Sequence, residues 1–303
     1  MKEKVILTGA NGFIGRQAIL PLTERNFEVH AVSNVEPPAE LLFENVVWHK
    51  VNLLDAEETA KLCENINASH LLHFAWYVEH GKFWNAPENE IWLKSSVDLI
   101  ESFKANGGER IVVSGTCAEY EWGEEAFLSE NETPLKPQNF YGECKLKLFE
   151  KLAEKNLNFA WGRIFFLFGE YEHPNRLIAS VINSLLKENS ANCSHGRQIR
   201  DFMYVKDVAD AFASLLDSDV KGAVNIASGR AVTIKEIVLQ TAEMLGKTEN
   251  IHFGAIEAAK NEPLSIVADT RILNEKVGWR ERYGIASGLA QTINYWKNYE
   301  NND

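Results

Sequence analysis

Three side chains of this sequence are of the types that pass a proton to a carbonyl or take one from an alcohol. Tyr141 and Lys145 are four residues apart, which places them on the same side of a helix. Thr116 ends a hydrophobic run, IVVSGT (111–116). A free tyrosine has a pKa of about 10, and a neighbouring ammonium group favours the phenolate. We therefore expect Lys145 to lower the pKa of Tyr141, which exchanges a proton with a substrate oxygen held by Thr116.

A tyrosine and a lysine at this spacing often occur by chance, as a buried ring and a lysine that reaches solvent. A glycine-rich turn, TGANGFIG (8–15), strengthens the catalytic interpretation. Its glycines, Gly9, Gly12 and Gly15, would let the backbone approach a pyrophosphate, and a helix N-terminus supplies amide donors. An ordinary tight turn is the alternative. The apolar run KVILT before the turn and the predicted helix after it favour dinucleotide binding, which would include Asn11, Phe13 and Ile14.

The end of the second predicted strand bears on the choice of nicotinamide cofactor. An NAD site places an acid there to bind the ribose hydroxyls. This chain instead reads Ala31-Val32-Ser33-Asn34, and Ser33 can hydrogen-bond a 2′-phosphate. Arg16, just after the last glycine, could pair with that phosphate, or it could be a solvated surface side chain. We predict NADP(H) in preference to NAD(H), bound partly by Ser33, Asn34 and Arg16.

The order of predicted elements gives the fold class. Strands alternate with helices, which predicts an α/β fold: a Rossmann-type doubly wound parallel sheet covered on both faces. The predicted strands are 4–8, 27–33, 46–50, 69–74, 110–114 and 159–165, and the main helices are 12–25, 55–65, 88–104 and 139–155. We expect a dinucleotide-binding domain at 1–165 and a smaller C-terminal α/β substrate lobe at 166–303, with some segments of the lobe returning to the first domain. A ligand cleft should separate them.

Composition narrows the possible partners of the 303-residue chain. Hydrophobic residues make up 45% and charged residues 24%, as in ordinary globular proteins. The net charge of −12 argues against nucleic acid, and the absence of long apolar runs argues against a membrane. The four cysteines lack metal-ligand spacing, so we expect reduced thiols and no metal. The sequence starts directly with a strand and has no signal-peptide pattern, which with these thiols predicts a cytoplasmic protein.

The motifs together resemble the extended short-chain dehydrogenase/reductases of the NAD-dependent epimerase/dehydratase family, which act on nucleotide sugars. The matching motifs are TGANGFIG (8–15), LLHFAW (71–76), SGTCAEY (114–120), PQNFYGECK (137–145), RQIRDFMYVKDVADA (197–211), VNIASG (224–229) and ADTRILNEKVGW (268–279). The resemblance implies that Thr116, Tyr141 and Lys145 are catalytic and that Tyr141 and Lys145 also contact the cofactor. Further implied cofactor contacts are Asn52, Leu53, Phe74, Ala75 and Ser114.

The substrate would be a nucleotide sugar, bound in the cleft. Trp76 and Lys82 lie in the loop after the fourth predicted strand and could contact sugar, base or phosphate, although core packing or solvent explains them as well. The residues we expect in contact with substrate are Trp76, Lys82, Thr116, Cys117, Phe166, His173, Arg176 and Arg200.

Departures from the family pattern indicate which reaction occurs. Family 4,6-dehydratases carry an Asp-Glu pair after the catalytic hydroxyl, where this chain has Cys117-Ala118. The epimerase-reductases of fucose nucleotide synthesis carry a cysteine at the position of Ala118. His173 lies near the place of a second acid/base histidine but at a different spacing, and a loop histidine is the better interpretation. The remaining reaction is NADPH-dependent reduction of a nucleotide-linked 4-keto-6-deoxy sugar, with hydride added at C4 and a proton from Tyr141.

Two alternatives remain open at this point. The chain could be a nucleotide-sugar C4 epimerase with tightly bound NAD, or a non-catalytic NADP(H)-sensing protein. The two long predicted helices, 88–104 and 139–155, carry apolar positions that look exposed, and such faces form a four-helix homodimer interface in the family. We expect a homodimer, the alternative being that both helices pack only on their own sheet. The positions are Ile91, Leu99, Phe103, Leu146, Phe149 and Leu152.

Overall fold

A computed structural model describes residues 2–123, 127–155, 157–258 and 262–300. The strands are β1 Lys4–Thr8, β2 Glu28–Ser33, β3 Val46–Lys50, β4 His70–His73, β5 Arg110–Thr116, β6 Phe159–Ile164, β7 Phe166–Phe168, β8 Ala191–Cys193, β9 Ile199–Arg200, β10 Phe202–Tyr204, β11 Gly222–Ile226, β12 Val232–Thr233, β13 Ile251–Phe253 and β14 Ser265–Ile266. The α-helices are α1 Gly15–Glu24, α2 Ala56–Ile66, α3 Glu88–Ala105, α4 Phe140–Glu154, α5 Leu177–Leu186, α6 Val205–Leu216, α7 Ile234–Leu245 and α8 Gly284–Glu300.

A parallel sheet of seven strands forms the centre of the molecule, in the order β11-β6-β5-β4-β1-β2-β3. This order confirms the predicted Rossmann-type α/β fold. Strand β11, from the later part of the chain, pairs with β6 and brings Asn225 opposite Arg163. The small strands form three further sheets, β7 with β10, β9 with β12 and β14, and β8 with β13.

Both faces of the central sheet are buried, because its strands are almost continuously apolar. Helices α1 and α6 pack in one core cluster, and α2, α3 and α4 pack in the other. None of the helices in the described part of the chain carries an apolar stretch long enough to span a bilayer.

Two predicted elements differ in their limits. Helix α1 begins at Gly15 rather than near Gly12, because the Gly12 amide turns back to donate to the Gly9 carbonyl at 2.9 Å. The extended segment predicted at 197–205 is two short strands separated by Asp201. The buried carboxylate of Asp201 accepts hydrogen bonds from the amides of Ser228, at 2.9 Å, and Ala268, at 3.2 Å, which ties the segment to two later loops.

The apolar positions expected on exposed faces of α3 and α4 are for the most part covered. Leu99, Phe103 and Leu152 are 0%, 1% and 2% exposed and pack in the core beneath α3 and α4. Leu146 and Phe149 are half-buried. Ile91 is 54% exposed. The prediction that Leu99, Phe103 and Leu152 are exposed was therefore wrong, since these residues face the chain's own sheet.

Candidate active site

The turn between β1 and α1 can be formed only by glycine at two positions. Gly9 has a φ of +65°, and a Cβ there would lie 2.9 Å from the Ala75 nitrogen. A Cβ on Gly15 would lie 2.1 Å from the Gly9 carbonyl oxygen. Helix α1 has no side-chain cap at Ile14. Its first amides therefore lack a side-chain acceptor, as in helices that bind a pyrophosphate.

The adenosine end of such a site would lie at the ends of β2 and β3. Ser33 ends β2 and its hydroxyl accepts a hydrogen bond from the Val35 amide at 3.2 Å. Lys50 pairs with Ser33 across the strands, and its ammonium group lies 2.9 Å from Glu36. Asn34 is exposed. The end of β2 thus carries the Ser33 hydroxyl, with Lys50 on the neighbouring strand. The first carboxylate along the chain after Ser33 is that of Glu36.

Arg16 makes contacts other than the predicted one. Its guanidinium group donates to the Asn11 side chain at 2.9 Å and lies 3.6 Å from the centre of the Tyr171 ring. Glu40 lies 4.0 Å away. These contacts leave the prediction that Arg16 pairs with a 2′-phosphate beside Ser33 without support, because the long side chain turns toward Tyr171 instead.

The remaining residues predicted at the cofactor site lie along the same edge of the sheet. Ala75 donates its amide to the Thr8 hydroxyl at 3.3 Å, and the Phe74 ring meets Phe212 edge-on at 4.8 Å. Asn52 accepts from the Leu54 amide at 3.1 Å. The Leu53 carbonyl accepts a hydrogen bond from Ser95. Phe13 lines a separate cavity between the glycine turn, α5 and α8.

The structure brings Thr116, Tyr141 and Lys145 together. Thr116 ends β5 and caps the following 3₁₀ helix, its hydroxyl accepting from the Ala118 amide at 3.2 Å. The same hydroxyl forms a hydrogen bond with the Tyr141 phenol. Lys145, which is 1% exposed, donates to the Ser114 carbonyl at 2.7 Å. The strand end and the first turns of α4 therefore meet at one point, with Asn139 capping α4.

The ionisation of this group differs from the prediction. Burial raises the pKa of the Tyr141 phenol well above its ordinary value; the Glu119 carboxylate raises it further, and the hydrogen bond with Thr116 lowers it in part. Burial lowers the pKa of the Lys145 ammonium to about 7, against a smaller effect of Glu119 in the opposite direction. The expectation that Lys145 lowers the pKa of Tyr141 was wrong for this structure, because burial outweighs the effect of a neighbouring charge.

Aromatic side chains surround the phenol. The Phe83 and Trp84 rings meet Tyr141 nearly at right angles, with centroids 5.0 and 6.0 Å from its own. Trp76 meets it at 6.4 Å, and the Lys145 ammonium lies 3.9 Å from the Trp76 ring centre. Trp76 is 7% exposed and donates to Asn89 at 2.8 Å. Trp76 therefore packs over Lys145, which corrects its assignment as a stacking surface for sugar or base.

The other predicted substrate residues fall into two groups. Lys82 is exposed and forms an ion pair with Glu79, and the partly exposed Arg176 has its guanidinium group 3.2 Å from the Glu172 carboxyl group. The His173 ring stacks on His80, with centroids 4.6 Å apart, and links the loop after β4 to the loop before α5.

The second group is buried. Arg200 is 2% exposed and donates to Glu262 at 2.6 Å, with the half-buried Phe166 ring 5.3 Å away. Burial raises the pKa of the Cys117 thiol to about 12, so this thiol stays protonated at neutral pH.

Two buried residues beside the centre had no role assigned from the sequence. His73 bridges the hydroxyls of Thr8, at 2.7 Å, and Ser96, at 2.9 Å. Burial lowers the pKa of His73 to about 3, so the ring is neutral at physiological pH. Glu119, 0% exposed, accepts a hydrogen bond from the Thr116 amide at 2.8 Å. Both residues could have been singled out from the sequence, because each is a polar residue at or just after the end of an apolar strand.

Known proteins resemble the chain over nearly its whole length. Residues 5–227 match the model of the NAD dependent epimerase/dehydratase family. UDP-glucose 4-epimerase 1 of Oryza sativa subsp. japonica is 23% identical, covering 93% of this chain and 91% of the relative. CDP-abequose synthase of Salmonella typhimurium is 25% identical, covering 97% and 98%.

A solved structure agrees in fold. The UDP-glucose 4-epimerase of Thermus thermophilus, in complex with NAD, superimposes with a TM-score of 0.86 at 23% identity, covering 97% of this chain and 99% of that one. The family match spans the glycine turn and the segments that carry Thr116, Tyr141 and Lys145. On these grounds the chain belongs to the NAD-dependent epimerase/dehydratase family of NAD(P)-dependent enzymes.

Proposed function

We propose that this enzyme reduces a nucleotide-linked 4-keto-6-deoxy sugar with NADPH, adding hydride at C4 and a proton from Tyr141 to the oxygen. The observation that supports it is the contact of Thr116 with Tyr141 beside Lys145. The residues after Thr116 supply no acid and base for dehydration, because Cys117 holds its proton and Ala118 has no ionisable group.

The glycine turn fits a dinucleotide, because backbone fills the space that a side chain at Gly9 or Gly15 would need and α1 begins without a side-chain cap. A bound reduced nicotinamide would supply the hydride for the carbonyl carbon. Tyr141 would then release its proton to the carbonyl oxygen as the alcohol forms, while Thr116 orients that oxygen. The new C–H and O–H bonds account for both hydrogens that the product gains.

The protonation state of Tyr141 is compatible with reduction. A phenol with a raised pKa is protonated at neutral pH, and a carbonyl reductase needs its acid in that form at the start of the reaction. The ammonium form of Lys145, whose pKa of about 7 leaves it partly charged at neutral pH, would stabilise the phenolate that remains after Tyr141 gives its proton.

The preference for NADPH rests on the end of β2. Ser33 provides a hydroxyl for a 2′-phosphate, and a carboxylate in place of Ser33 would repel it. Lys50 lies opposite Ser33 on β3 and could pair with the phosphate in exchange for its present partner, Glu36. The ratio of kcat/KM for NADPH to that for NADH tests this preference. The ratio should exceed one in the parent protein and fall about tenfold in Ser33→Asp, since about 1.4 kcal/mol of repulsion changes binding tenfold. A parent ratio below one would refute the preference.

The second candidate is a nucleotide-sugar C4 epimerase with tightly bound NAD. It is favoured by relatives named UDP-glucose 4-epimerase and by the Thermus structure in complex with NAD. The nicotinamide content of the purified protein separates the two candidates, because an epimerase keeps its NAD and returns the hydride. A non-catalytic NADP(H) sensor is disfavoured by the intact Tyr141 and Lys145 pair.

The direct test mixes the purified enzyme with NADPH and a panel of CDP-, dTDP-, GDP- and UDP-linked 4-keto-6-deoxy sugars. We expect the enzyme to oxidise NADPH in the presence of one of these sugars. The fall in nicotinamide absorbance measures this oxidation, and the yield of the sugar alcohol should match it. Failure of all four nucleotide series, together with bound NAD in the purified protein, would favour the epimerase.

The proposal extends to assembly and location. We propose that two copies of the chain form a homodimer through α3 and α4. The apolar residues that could contact the second copy are the exposed Ile91 and the half-buried Leu146 and Phe149. Light scattering should give twice the mass of one chain for the parent and one chain for Ile91→Asp. A cytoplasmic location remains a prediction from the sequence.

A further inference from the structure

The carboxylate of Glu119 is completely enclosed next to the catalytic residues. One of its oxygens accepts from the Thr116 amide at 2.8 Å and the Trp161 indole at 2.9 Å. The other accepts from the Arg163 guanidinium at 2.7 Å. Glu119 and Arg163 are 0% and 1% exposed at their side chains, so this is a buried ion pair.

The network continues across the sheet. Arg163 donates to the Tyr120 hydroxyl at 3.1 Å, and that hydroxyl donates to the Asn225 side chain at 2.7 Å. The Asn225 amide group in turn donates to the carbonyls of Leu128, at 2.8 Å, and Asp269, at 3.0 Å. A continuous set of hydrogen bonds therefore runs from the backbone of Thr116 through β6 and β11 to Leu128, in the segment between β5 and α4, and to Asp269, in a loop near the end of the chain.

The local sequence is fitted to this network. A Cβ on Gly115 would lie 2.0 Å from the Trp161 indole nitrogen and 2.7 Å from the Glu119 carboxylate. Only glycine before Thr116 therefore permits the contacts. A buried ion pair contributes little net stability compared with packed apolar side chains of the same volume. Stability alone gives no reason for two charges at this place.

We propose that Glu119 is a positioning residue, whose buried carboxylate fixes the backbone of Thr116 and sets the charge balance of the Tyr141 and Lys145 pair. The inference rests on the proposed function for its meaning in catalysis. Its electrostatic part concerns this chain's own side chains and is testable without any substrate.

The direction of the effect follows from the sign of the charge. A carboxylate favours the ammonium form of Lys145 and disfavours the phenolate form of Tyr141. Lys145 is also faced by the neutral His73, the Trp76 ring and the Ser114 carbonyl. The groups acting on Tyr141, besides Glu119, are Thr116, Cys117 and Arg176. Removing the negative charge of Glu119 should therefore move both titrations to lower pH.

The test is an NMR titration of the whole protein labelled with carbon-13 at the lysine ε-carbon. The Lys145 resonance is identified by its loss in Lys145→Met. We expect its midpoint near pH 7 in the parent and lower by about one pH unit in Glu119→Gln, which keeps an acceptor for the Thr116 amide. Glu170→Gln is the matched control, because Glu170 is also a buried, ion-paired carboxylate but contacts Tyr204 and Lys206. This control should leave the midpoint in place.

A second variant distinguishes the effect of the Glu119 charge from an effect of misfolding. Glu119→Gln leaves the Arg163 charge unpaired, so the double variant Glu119→Gln/Arg163→Gln removes both charges. It should show a smaller downward shift, because loss of the Arg163 cation favours the Lys145 ammonium and partly offsets loss of the carboxylate. Where an active substrate is found, the pH profile of kcat should shift to lower pH in Glu119→Gln, which a purely structural role would not cause. An unchanged Lys145 midpoint in both variants would overturn the inference. A shifted midpoint in a protein that reduces no ketosugar would refute the proposed function and leave the charge effect intact.

Discussion

The buried corner formed by Thr116, Tyr141 and Lys145 and the exposed loop around Lys82, which we call the mouth of the proposed cleft, are built in opposite ways. At the corner, Thr116 and Lys145 are held by buried hydrogen bonds to Glu119 and Ser114. At the mouth, Lys82 is 68% exposed at its side chain and pairs with Glu79, a neighbour in the same loop. Buried charges are costly unless they are paired, whereas exposed pairs contribute little.

The contrast separates chemistry from specificity. Groups that transfer a proton need a fixed geometry, because a small displacement slows the reaction strongly. Groups that choose among sugars and nucleotides can be exchanged at the surface without cost to the fold. The buried residues of the corner therefore indicate the type of reaction, whereas variants of the exposed residues at the mouth test the choice of substrate. Four variants test this contrast, from the largest expected effect to the smallest.

Tyr141→Phe removes the proposed acid at the corner. Turnover of the ketosugar should fall about 10²- to 10⁴-fold, the usual contribution of a general acid. Binding of NADPH, measured by nicotinamide fluorescence, should persist. Tyr77→Phe is the control, since the Tyr77 hydroxyl donates to the nearby Glu79 in the same loop, and it should keep turnover within about twofold. Full activity in Tyr141→Phe would contradict the account.

Arg163→Met leaves the Glu119 carboxylate buried without its partner. The free energy of unfolding, measured in urea, should fall by about 3–5 kcal/mol. Arg230 offers a matched comparison, because it forms a two-pronged pair with Glu281 near the surface. Arg230→Met should cost about 1 kcal/mol or less. Equal losses in the two variants would remove the distinction between buried and exposed pairs.

Glu172→Gln tests a buried carboxyl beside the mouth. Burial raises the pKa of Glu172 to about 8, with Arg176 opposing the rise. The folded state then holds a proton that the unfolded chain has lost between about pH 4.5 and 8, so stability should fall as the pH rises through that window.

Glutamine cannot lose a proton, so the variant should lack this part of the pH dependence, about 3–4 kcal/mol between pH 5 and pH 8. Urea unfolding at pH 5 and pH 8 measures it. The same change of stability with pH in parent and variant would show that Glu172 is ionised in the folded protein.

Lys82→Met should have the smallest effect on the fold. The free energy of unfolding should change by no more than about 0.5 kcal/mol, because the ion pair with Glu79 is exposed. If Lys82 contacts a substrate phosphate, as the sequence predicts, KM for the nucleotide ketosugar should rise several-fold with kcat unchanged. An unchanged KM would remove Lys82 from the substrate site.

The sequence predicted the elements that position Thr116, Tyr141 and Lys145, because each follows from local spacing in a strand end or a helix. It did not predict the Glu119–Arg163 pair, since that contact depends on the register of β5 against β6. The ionisation of Tyr141 was mistaken for a related reason. Burial is set by surrounding segments such as the Phe83–Trp84 turn, which spacing along α4 does not reveal. The contacts of Arg16 with Asn11 and Tyr171 were not predicted, because a long side chain can reach several partners.

The most direct test of the central claim follows one hydrogen atom. The enzyme is given its ketosugar nucleotide and NADPH carrying deuterium at the transferable position of the nicotinamide, and the sugar product is examined by mass spectrometry and NMR. We predict one deuterium at C4 of the product for each NADPH consumed, with transfer about 10²- to 10⁴-fold slower in Tyr141→Phe. A product that forms without deuterium while NADPH remains unspent would contradict this mechanism.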